Sequence, residues 1–301
     1  MSSTTTSAAP AASNNASSSE IIPGSSKDVP WYNATAPNIS APMRELLLNY
    51  SHIPVDSQVE HAVAIREKAY AIHPYPCLGL WAFLRLHLQA SPLFGSIVEE
   101  LKTKPDALFV DIGTGLGQEI RSLIAAGVPV NRVRGVELEP QFNELGCELF
   151  RDGEVVGPCL LVGDILLDEG EQSLAHLRGK VSIFHAASFF HLWDWEGQIN
   201  VACRMVDLMQ PRVGVRMLGR QIGSIKAQAK VHETNKNGQT MWKHDPDSFA
   251  KMWVEVGAKT KTKWDVKAEL GKPYVKLDER TGQWWHDPDT RTIIWSIVRV
   301  E

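Results

Sequence analysis

The sequence predicts an α/β protein: a mostly parallel sheet with helices on both faces, preceded by a helical cap. Three features predict this class. Strands and helices alternate from Ala107 onward, a glycine turn joins the first strand to its helix, and acids end three successive strands. Such alternation is typical of parallel strands joined by right-handed crossovers. The carboxyl ends of these strands meet at one edge of the sheet, where ligands bind.

The composition excludes several classes of protein. With 301 residues, 44% of them hydrophobic, the chain can form a sizeable core. A net charge of −4 and the lack of a long basic run disfavour nucleic acid as a partner. Its four cysteines have no C-x-x-C spacing, so we expect reduced, buried thiols and no metal. We expect a cytoplasmic protein without a membrane span, because neither an apolar run of about 20 residues nor a secretory signal is present.

Three segments differ in their patterns. Residues 1–27 are mainly Ser, Thr, Ala and Asn, which predicts a disordered tail. Residues 28–104 show helical patterns and no strand pattern, which predicts a helical cap that contributes to the substrate pocket. Residues 105–301 form the alternating α/β domain. In the cap we predict helices from Ala41, from Asp56, over 78–88 and over 92–101.

The predicted elements of the α/β domain follow from its apolar runs. The strands are 107–111, 132–137, 159–164, 181–186 and 213–218, with helices at 117–126, 140–151 and 195–210. The last third is less regular. It contains a possible hairpin turn at Asn237-Gly238, a helix over 248–256, strands at 263–270 and 291–300, and a surface insertion over 271–289.

The turn after the first strand predicts the cofactor. Asp111 ends that strand, and Gly113, Gly115 and Gly117 follow it, with Gln118 where a dinucleotide fingerprint has its third glycine. A carboxylate before the turn would repel the phosphates of NAD. It suits S-adenosylmethionine, whose methionine end carries an ammonium group for Asp111. The carboxylate of that end can take backbone N–H groups at the helix start.

Two more acids end the next two strands. Glu137 stands 20 residues after Gly117, a position suited to ribose hydroxyls. Asp164 could accept from the adenine amine, and Ile165 could pack on the ring. Taken singly, Glu137 and Asp164 could instead cap helices. The predicted cofactor-binding residues are Asp111, Gly113, Gly115, Gly117, Glu137, Leu138, Gly163, Asp164 and Ile165.

These motifs resemble the class I S-adenosylmethionine-dependent methyltransferases. Within that class the chain is similar, from about Pro30 to its end, to the small fungal methyltransferases of meroterpenoid (polyketide–terpenoid) biosynthesis. The segments that carry the resemblance are 36–40, 110–119, 135–140 and 187–193. The resemblance implies a Rossmann-like seven-stranded sheet whose last strand is antiparallel. It also implies methyl transfer to an oxygen, often of a carboxyl group. The resemblance to this family does not extend to the lysine-rich region 224–247.

A few residues are candidates for the chemistry. His191 follows the fourth strand and is the best candidate for a general base, although the interpretation as a packed histidine among aromatic residues is favoured. A carboxylate acceptor needs no base, whereas a hydroxyl acceptor would benefit from one. Arg216 and Arg220 flank the predicted end of the fifth strand, where an arginine could orient a carboxylate. Tyr75 and Trp81 of the cap could line an apolar acceptor pocket.

The sequence therefore predicts an O-methyltransferase that acts on a small apolar molecule. A carboxylic acid is favoured over a polyketide hydroxyl as the acceptor. Two other hypotheses stay open: an NAD-dependent oxidoreductase, and a non-catalytic methyltransferase-like regulator that binds a partner protein. No oligomeric state follows from the sequence.

Overall fold

The structure is a computed structural model that describes residues 27–231, 239–273 and 288–301. Three expectations lie wholly or mostly outside these ranges. They are the disordered tail, the turn at Asn237-Gly238 and the surface insertion over 271–289.

One large sheet dominates the described residues. The strands are β1 (Phe109–Ile112), β2 (Val133–Glu137), β3 (Leu160–Val162), β4 (Ile183–Ala187), β5 (Arg216–Ser224), β6 (Gln228–Val231), β7 (Thr240–Lys243), β8 (Trp264–Pro273) and β9 (Thr290–Arg299). Seven of them form one sheet in the order β3-β2-β1-β4-β5-β9-β8. The closing strand β9 is antiparallel to both of its neighbours, and β6 pairs antiparallel with β7 in a separate ladder. The predicted α/β class and the seven-stranded, mostly parallel sheet are confirmed.

Helices connect the strands and precede them. They are α1 (Ala41–Glu45), α2 (Gln58–Ile72), α3 (Pro76–Gly79), α4 (Phe94–Thr103), α5 (Gln118–Ala125), α6 (Pro140–Phe150), α7 (Gly153–Val156), α8 (Trp195–Leu208) and α9 (Pro246–Thr260). The α6 helix begins at a proline, as predicted, because a first-turn residue needs no N–H donor. The α9 helix begins at a capping box formed by Asp245 and Ser248.

The predicted helix over 78–88 was wrong. The chain forms the short α3 there and then a 3₁₀ turn over Ala82–Leu84. Trp81 separates the two with a left-handed backbone (φ 59°), and its indole N–H donates to the carbonyl of Thr35 at 3.0 Å. This tertiary contact and the close approach of Gly79 to the Trp31 carbonyl hold the backbone in a conformation other than a regular helix.

Packing of the N-terminal helices positions the segment that follows them. Met43, Leu47 and Ile65 share one buried cluster with Phe142 and Phe150 of α6. Because α6 follows β2 directly, this contact holds residues 73–92 near the carboxyl ends of the strands.

Two expectations from composition can be compared with the structure. The cysteines are free, but only Cys159 is buried and Cys77 is exposed, so the expectation of buried thiols holds for one of the four. Within the described ranges, no helix has the length and apolar character needed to cross a bilayer.

Candidate active site

A cavity of about 380 Å³ opens where β1, β2, β3 and β4 end. The chain runs outward from β1 to β3 on one side and from β4 to β5 on the other, so the topological switch point lies between β1 and β4. Ligands of open α/β sheets bind at this point. Eight of the nine predicted cofactor-binding residues line the cavity: Asp111, Gly113, Gly115, Glu137, Leu138, Gly163, Asp164 and Ile165.

Asp111 is a buried carboxylate in the wall of the cavity, 3% exposed. Its Oδ1 accepts from His185 Nδ1 at 2.7 Å, and its Oδ2 accepts from Thr114 Oγ1 at 2.8 Å. These two bonds hold the carboxylate in one orientation. Each oxygen has a second lone pair with which to accept from a ligand.

The glycine turn brings backbone close to the cavity. Gly113 and Gly115 have φ of +68° and +57°, a region that favours glycine. A Cβ on Gly115 would meet no protein atom within 4 Å, so this backbone borders open space. The N–H groups of Gly113 and Thr114 both donate to the Val136 carbonyl, and that of Gly117 donates to Thr114. The predicted binding of a ligand carboxylate by backbone amides therefore cannot rest on these three groups.

Glu137 is held by backbone donors at the end of β2. Its carboxylate accepts from the N–H of Gly115 at 2.8 Å and of Leu138 at 2.9 Å. Burial raises the pKa of Glu137, and the backbone hydrogen bonds oppose that shift. At the next strand end, Asp164 Oδ1 accepts from the Leu166 N–H at 2.8 Å. Both acids thus have local structural partners and also face the cavity.

Two residues at the other side of the cavity form a pair that the sequence did not reveal. Arg220 Nη1 donates to His87 Nε2 at 2.8 Å. A guanidinium cannot accept, so His87 must be neutral at this nitrogen. Burial, and then the charges of Arg220 and Arg85, lower the pKa of His87 to about 3. The Arg220 side chain also contacts Thr292 Oγ1 at 3.4 Å.

The carboxylate of Glu119 connects the two sides. It is 2% exposed and accepts from the backbone N–H groups of His87 at 2.7 Å and Leu88 at 3.1 Å. Burial raises the pKa of Glu119 to about 7. Because Glu119 lies in the first turn of α5, it ties the segment that carries His87 to the helix that follows the glycine turn.

The remaining wall mixes apolar and basic side chains. Phe83, Ile222 and Met241 line it, together with His191 and the buried Lys243, whose Nζ donates to Thr290 Oγ1 at 3.1 Å. Lys243 and Met241 belong to β7, so the ladder of β6 and β7 contributes to this side of the site.

Three predicted site residues lie away from the cavity. Arg216 begins β5 and pairs with Glu100 at 2.8 Å, so its predicted place at the active edge was wrong. Trp81 packs against Arg66, whose guanidinium carbon lies 3.7 Å from the ring centroid, and does not line the cavity. Gly117 also lies outside the lining, because its α-carbon faces Arg121. Tyr75, by contrast, does line the cavity.

His185, inside β4, is a further residue of the site. It is buried, at 3% exposed, but it also lines the cavity and bonds to Asp111. The parallel pairing of β1 with β4 sets Asp111 opposite His185. No local sequence pattern gives this strand register, so the sequence alone could not place His185 at the site.

Relatives of this chain are fungal methyltransferases. Residues 31–84 match the family described as the meroterpenoid methyltransferase N-terminal domain. The chain is 39% identical to O-methyltransferase phiE of a fungal species (strain ATCC 74256), over 85% of this chain and 84% of the relative. It is 36% identical to O-methyltransferase atr3 of Stereocaulon alpinum, over 92% and 78%, and 32% identical to methyltransferase adrK of Penicillium roqueforti, over 78% and 83%.

The chain belongs to the S-adenosylmethionine-dependent methyltransferases related to the fungal meroterpenoid enzymes. The predicted family, enzyme class and cofactor are thereby confirmed. It is a methyltransferase of fungal secondary metabolism. A crystal structure of Burkholderia thailandensis 1,6-didemethyltoxoflavin-N1-methyltransferase with S-adenosylhomocysteine is also similar, with a TM-score of 0.45 and 11% identity over 83% of this chain and 93% of that one.

The cavity of this methyltransferase fits such a cofactor chemically. Carboxylates at the ends of β1, β2 and β3 offer acceptors for an ammonium group, hydroxyls and an amine. The side-chain oxygen of Gln118 is buried in the wall with no hydrogen-bond partner among the described residues. A buried acceptor without a donor is costly, and a bound donor would satisfy it.

Proposed function

We propose that the protein transfers the methyl group of S-adenosylmethionine to a carboxyl oxygen of an apolar terpenoid or polyketide intermediate. The observation that carries the proposal is that three basic side chains share the acceptor side of the cavity with apolar ones. Arg220, Arg85 and Lys243 all line the cavity, and Lys243 is 3% exposed. Cations in a wall of apolar side chains attract an anion more strongly than in water, because the local dielectric is low. An acceptor carboxylate on an apolar body matches both properties of this wall.

Arg220 is the proposed anchor of the acceptor. Its guanidinium can bind a carboxylate through two parallel N–H donors. The hydrogen bond to neutral His87 fixes one edge of that guanidinium. Phe83, Ile222 and Met241 would contact the apolar body of the substrate. Two relatives named O-methyltransferases, phiE and atr3, support oxygen as the methylated atom.

For the cofactor we propose the placement that the three strand-end acids suggest. Asp111 would accept from the ammonium group, Glu137 from the ribose hydroxyls and Asp164 from the adenine amine. Gly115 would allow close approach of the backbone. Gly113 and Gly163 would also border the cofactor, although the space where a Cβ would stand is filled by Phe189 and Leu174 respectively. Leu138 and Ile165 would lie against the adenine. Bound there, the cofactor supplies a methyl group on a sulfonium, and the protein's part is to orient the acceptor and exclude water.

A hydroxyl group is the second candidate for the methyl acceptor, and the position of His191 in the cavity wall favours it. This histidine lines the cavity beside Phe189 and Trp193, where it could take the proton of a hydroxyl group. A carboxylate acceptor is already ionised and would leave His191 a packing role.

The decisive experiment labels the product. Purified enzyme is incubated with a fungal terpenoid and polyketide extract and a cofactor carrying a deuterated methyl group, and mass spectrometry identifies the labelled compound. Mild alkaline hydrolysis should release the label as methanol, because an ester hydrolyses and an ether does not. A label that survives hydrolysis would establish a hydroxyl acceptor instead.

The Arg220→Met variant tests the anchor with the compound so identified. We expect the acceptor KM to rise about 10- to 100-fold, because a charge-assisted hydrogen bond contributes about 1.5–3 kcal/mol. The Kd of S-adenosylhomocysteine should stay near that of the wild type. Arg178→Met is the matched control, since Arg178 is exposed and pairs with Asp207. An unchanged acceptor KM in Arg220→Met would remove Arg220 from the acceptor site.

A further inference from the structure

His185 is a buried imidazole that touches the proposed cofactor site from the side. It lies within β4, where the strand pairing sets it beside Asp111 of β1. Its Nδ1 donates to Asp111 Oδ1 at 2.7 Å, and its ring stacks on the fully buried Phe109 with 6.3 Å between the centroids. The packed ring cannot turn freely, so together with Thr114 Oγ1 it fixes the direction of the Asp111 carboxylate.

Charged or titratable groups face His185 from four neighbouring segments. They are Asp111 on β1, Glu119 on α5 and Arg220 on β5, with His87 from the segment before α4. Burial by itself lowers the pKa of His185, but the charge and hydrogen bond of Asp111, helped by Glu119, outweigh burial and leave that pKa raised. The protonated form of this imidazole is therefore stabilised relative to that of a free histidine.

We propose that His185 is a positioning residue for the amino end of S-adenosylmethionine, and that cofactor binding displaces a proton from its imidazole. The proposal rests on the cofactor placement at Asp111 given above. A protonated His185 compensates the charge of Asp111. A neutral His185 leaves a full carboxylate, still oriented by the Nδ1–H group, for the ligand's ammonium.

Protonation of His185 and cofactor binding are linked because two cations, the imidazolium and the ligand's ammonium group, compete for the Asp111 carboxylate. A positive charge near Asp111 disfavours a second one at the imidazole a few ångströms away. By reciprocity, protonation of His185 lowers the affinity for the cofactor by the same factor as cofactor binding lowers the affinity of His185 for its proton. Cofactor affinity should therefore rise with pH through the range in which His185 loses its proton.

Isothermal titration calorimetry with S-adenosylhomocysteine tests the proposal without any acceptor. Titrations at pH 6.0 and 8.5, each in two buffers of different ionisation enthalpy, give the affinity and the number of protons released. We expect wild-type affinity to be about tenfold weaker at pH 6.0, since one linked proton changes affinity by up to about tenfold per pH unit. Proton release should accompany binding at the lower pH.

Three variants separate the roles. His185→Asn keeps a donor near the Nδ1 position but cannot titrate, so it should lose most of the pH dependence and the proton release. His185→Leu lacks the donor and should bind about tenfold more weakly at both pH values. His185→Asn should recover most of that loss at pH 8.5. His176→Asn, at an exposed histidine outside the cavity lining, should behave as the wild type does.

Each outcome decides one point. A His185→Asn variant with the wild-type pH dependence would assign the linkage to Glu119 or to the ligand amine and overturn the proposal. A His185→Leu variant with a wild-type melting curve and wild-type affinity would overturn the positioning role, and if that variant does not fold, the asparagine variant decides. Wild-type binding by Asp111→Asn would refute the cofactor placement itself. None of these results bears on the carboxyl acceptor, because no acceptor is present.

Discussion

At the scale of single residues, a buried ion pair supports the glycine turn from behind. Arg121 has a fully buried side chain and binds Asp152 through two parallel contacts, Nε to Oδ2 and Nη2 to Oδ1, each 2.9 Å. Its Nη1 approaches the carbonyl oxygens of Leu116 and Gly117 at 3.4 Å. Tyr50 of the N-terminal helices donates to Asp152 as well, at 2.7 Å. The pair therefore joins three parts of the chain.

We expect Arg121→Met to destabilise the protein by about 3–5 kcal/mol. Removal of one member of a buried ion pair leaves the other charge buried and uncompensated. Urea unfolding followed by circular dichroism measures the change. In the control Arg178→Met, an exposed pair is broken and the unfolding midpoint should not move measurably. Equal midpoints for the two variants would show that the Arg121 pair contributes no more than a surface contact.

The place of a site residue was predictable from the sequence only where the end of its strand was also predictable. The three acids follow short apolar runs, so their places at the ends of β1, β2 and β3 could be read directly. Arg216 was misplaced because β5 extends to Ser224, well beyond its predicted end, which moves Arg216 to the start of the strand. His87 and His185 acquire their contacts from tertiary packing and strand register, and neither was visible in a local pattern.

At the scale of elements, the glycine turn between β1 and α5 combines two demands. Its backbone needs positive φ, and it must leave space at the cavity. Gly115 shows both, with φ +57° and no protein atom within 4 Å of the point where a Cβ would stand. Gly179, in a turn outside the cavity lining, has a similar φ of +68° and equal open space.

This matched pair of glycines separates strain from ligand contact. Gly115→Ala and Gly179→Ala should each lose about 1 kcal/mol of stability, the cost of a non-glycine residue in the left-handed region. Gly115→Ala alone should also weaken S-adenosylhomocysteine binding, about tenfold or more, because its methyl group occupies the space for the ligand. Calorimetric titration and urea unfolding measure both effects. Equal affinity in the two variants would place the ligand away from Gly115.

Elements themselves were predictable where burial and local pattern agreed. The strands of the sheet other than β5, and the helices α5, α6 and α8, lie within a few residues of their predicted bounds, because each combines an apolar run with clear turn residues. The helix predicted over 78–88 failed because contacts of Trp81 and Gly79 with residues 31–35 impose a different backbone. Tertiary contacts overrode local propensity there.

At the scale of the whole molecule, buried neutral histidines make stability depend on pH. His244 lies fully buried where β7 ends and α9 begins. Its Nε2 contacts Gln198 Oε1 at 3.1 Å and its Nδ1 contacts Ser248 Oγ at 2.9 Å. The amide nitrogen of Gln198 already donates to the carbonyl oxygens of Trp193 and Trp242, so Gln198 Oε1 accepts and the His244 proton lies on Nε2. Burial lowers the pKa of His244 to about 4.

The sign of the effect follows from proton binding. Between about pH 4 and its ordinary pKa of 6.5, His244 is protonated in the unfolded chain and neutral in the folded one. Acid therefore favours unfolding, and the contribution of His244 falls by about 1.4 kcal/mol for each pH unit below 6.5. His87 acts in the same direction, whereas Glu119, with its raised pKa, is stabilising at low pH and loses that contribution as pH rises through about 7.

The His244→Gln variant isolates the contribution of His244 to the pH dependence of stability, because all other titratable groups are the same in the variant and the wild type. The glutamine amide can still donate to Gln198 but cannot take up a proton. We expect the variant to be less stable than the wild type at pH 7, and the difference to shrink by about 1.4 kcal/mol per pH unit as pH falls from 6.5 to 5. Urea unfolding at half-unit steps of pH measures both curves, with the exposed His176→Gln as the control. Parallel curves for wild type and His244→Gln would mean that His244 carries the same charge in the folded and unfolded chains. A converging pair would show that the junction of β7 and α9, next to the proposed acceptor wall, is held by a histidine that must stay neutral.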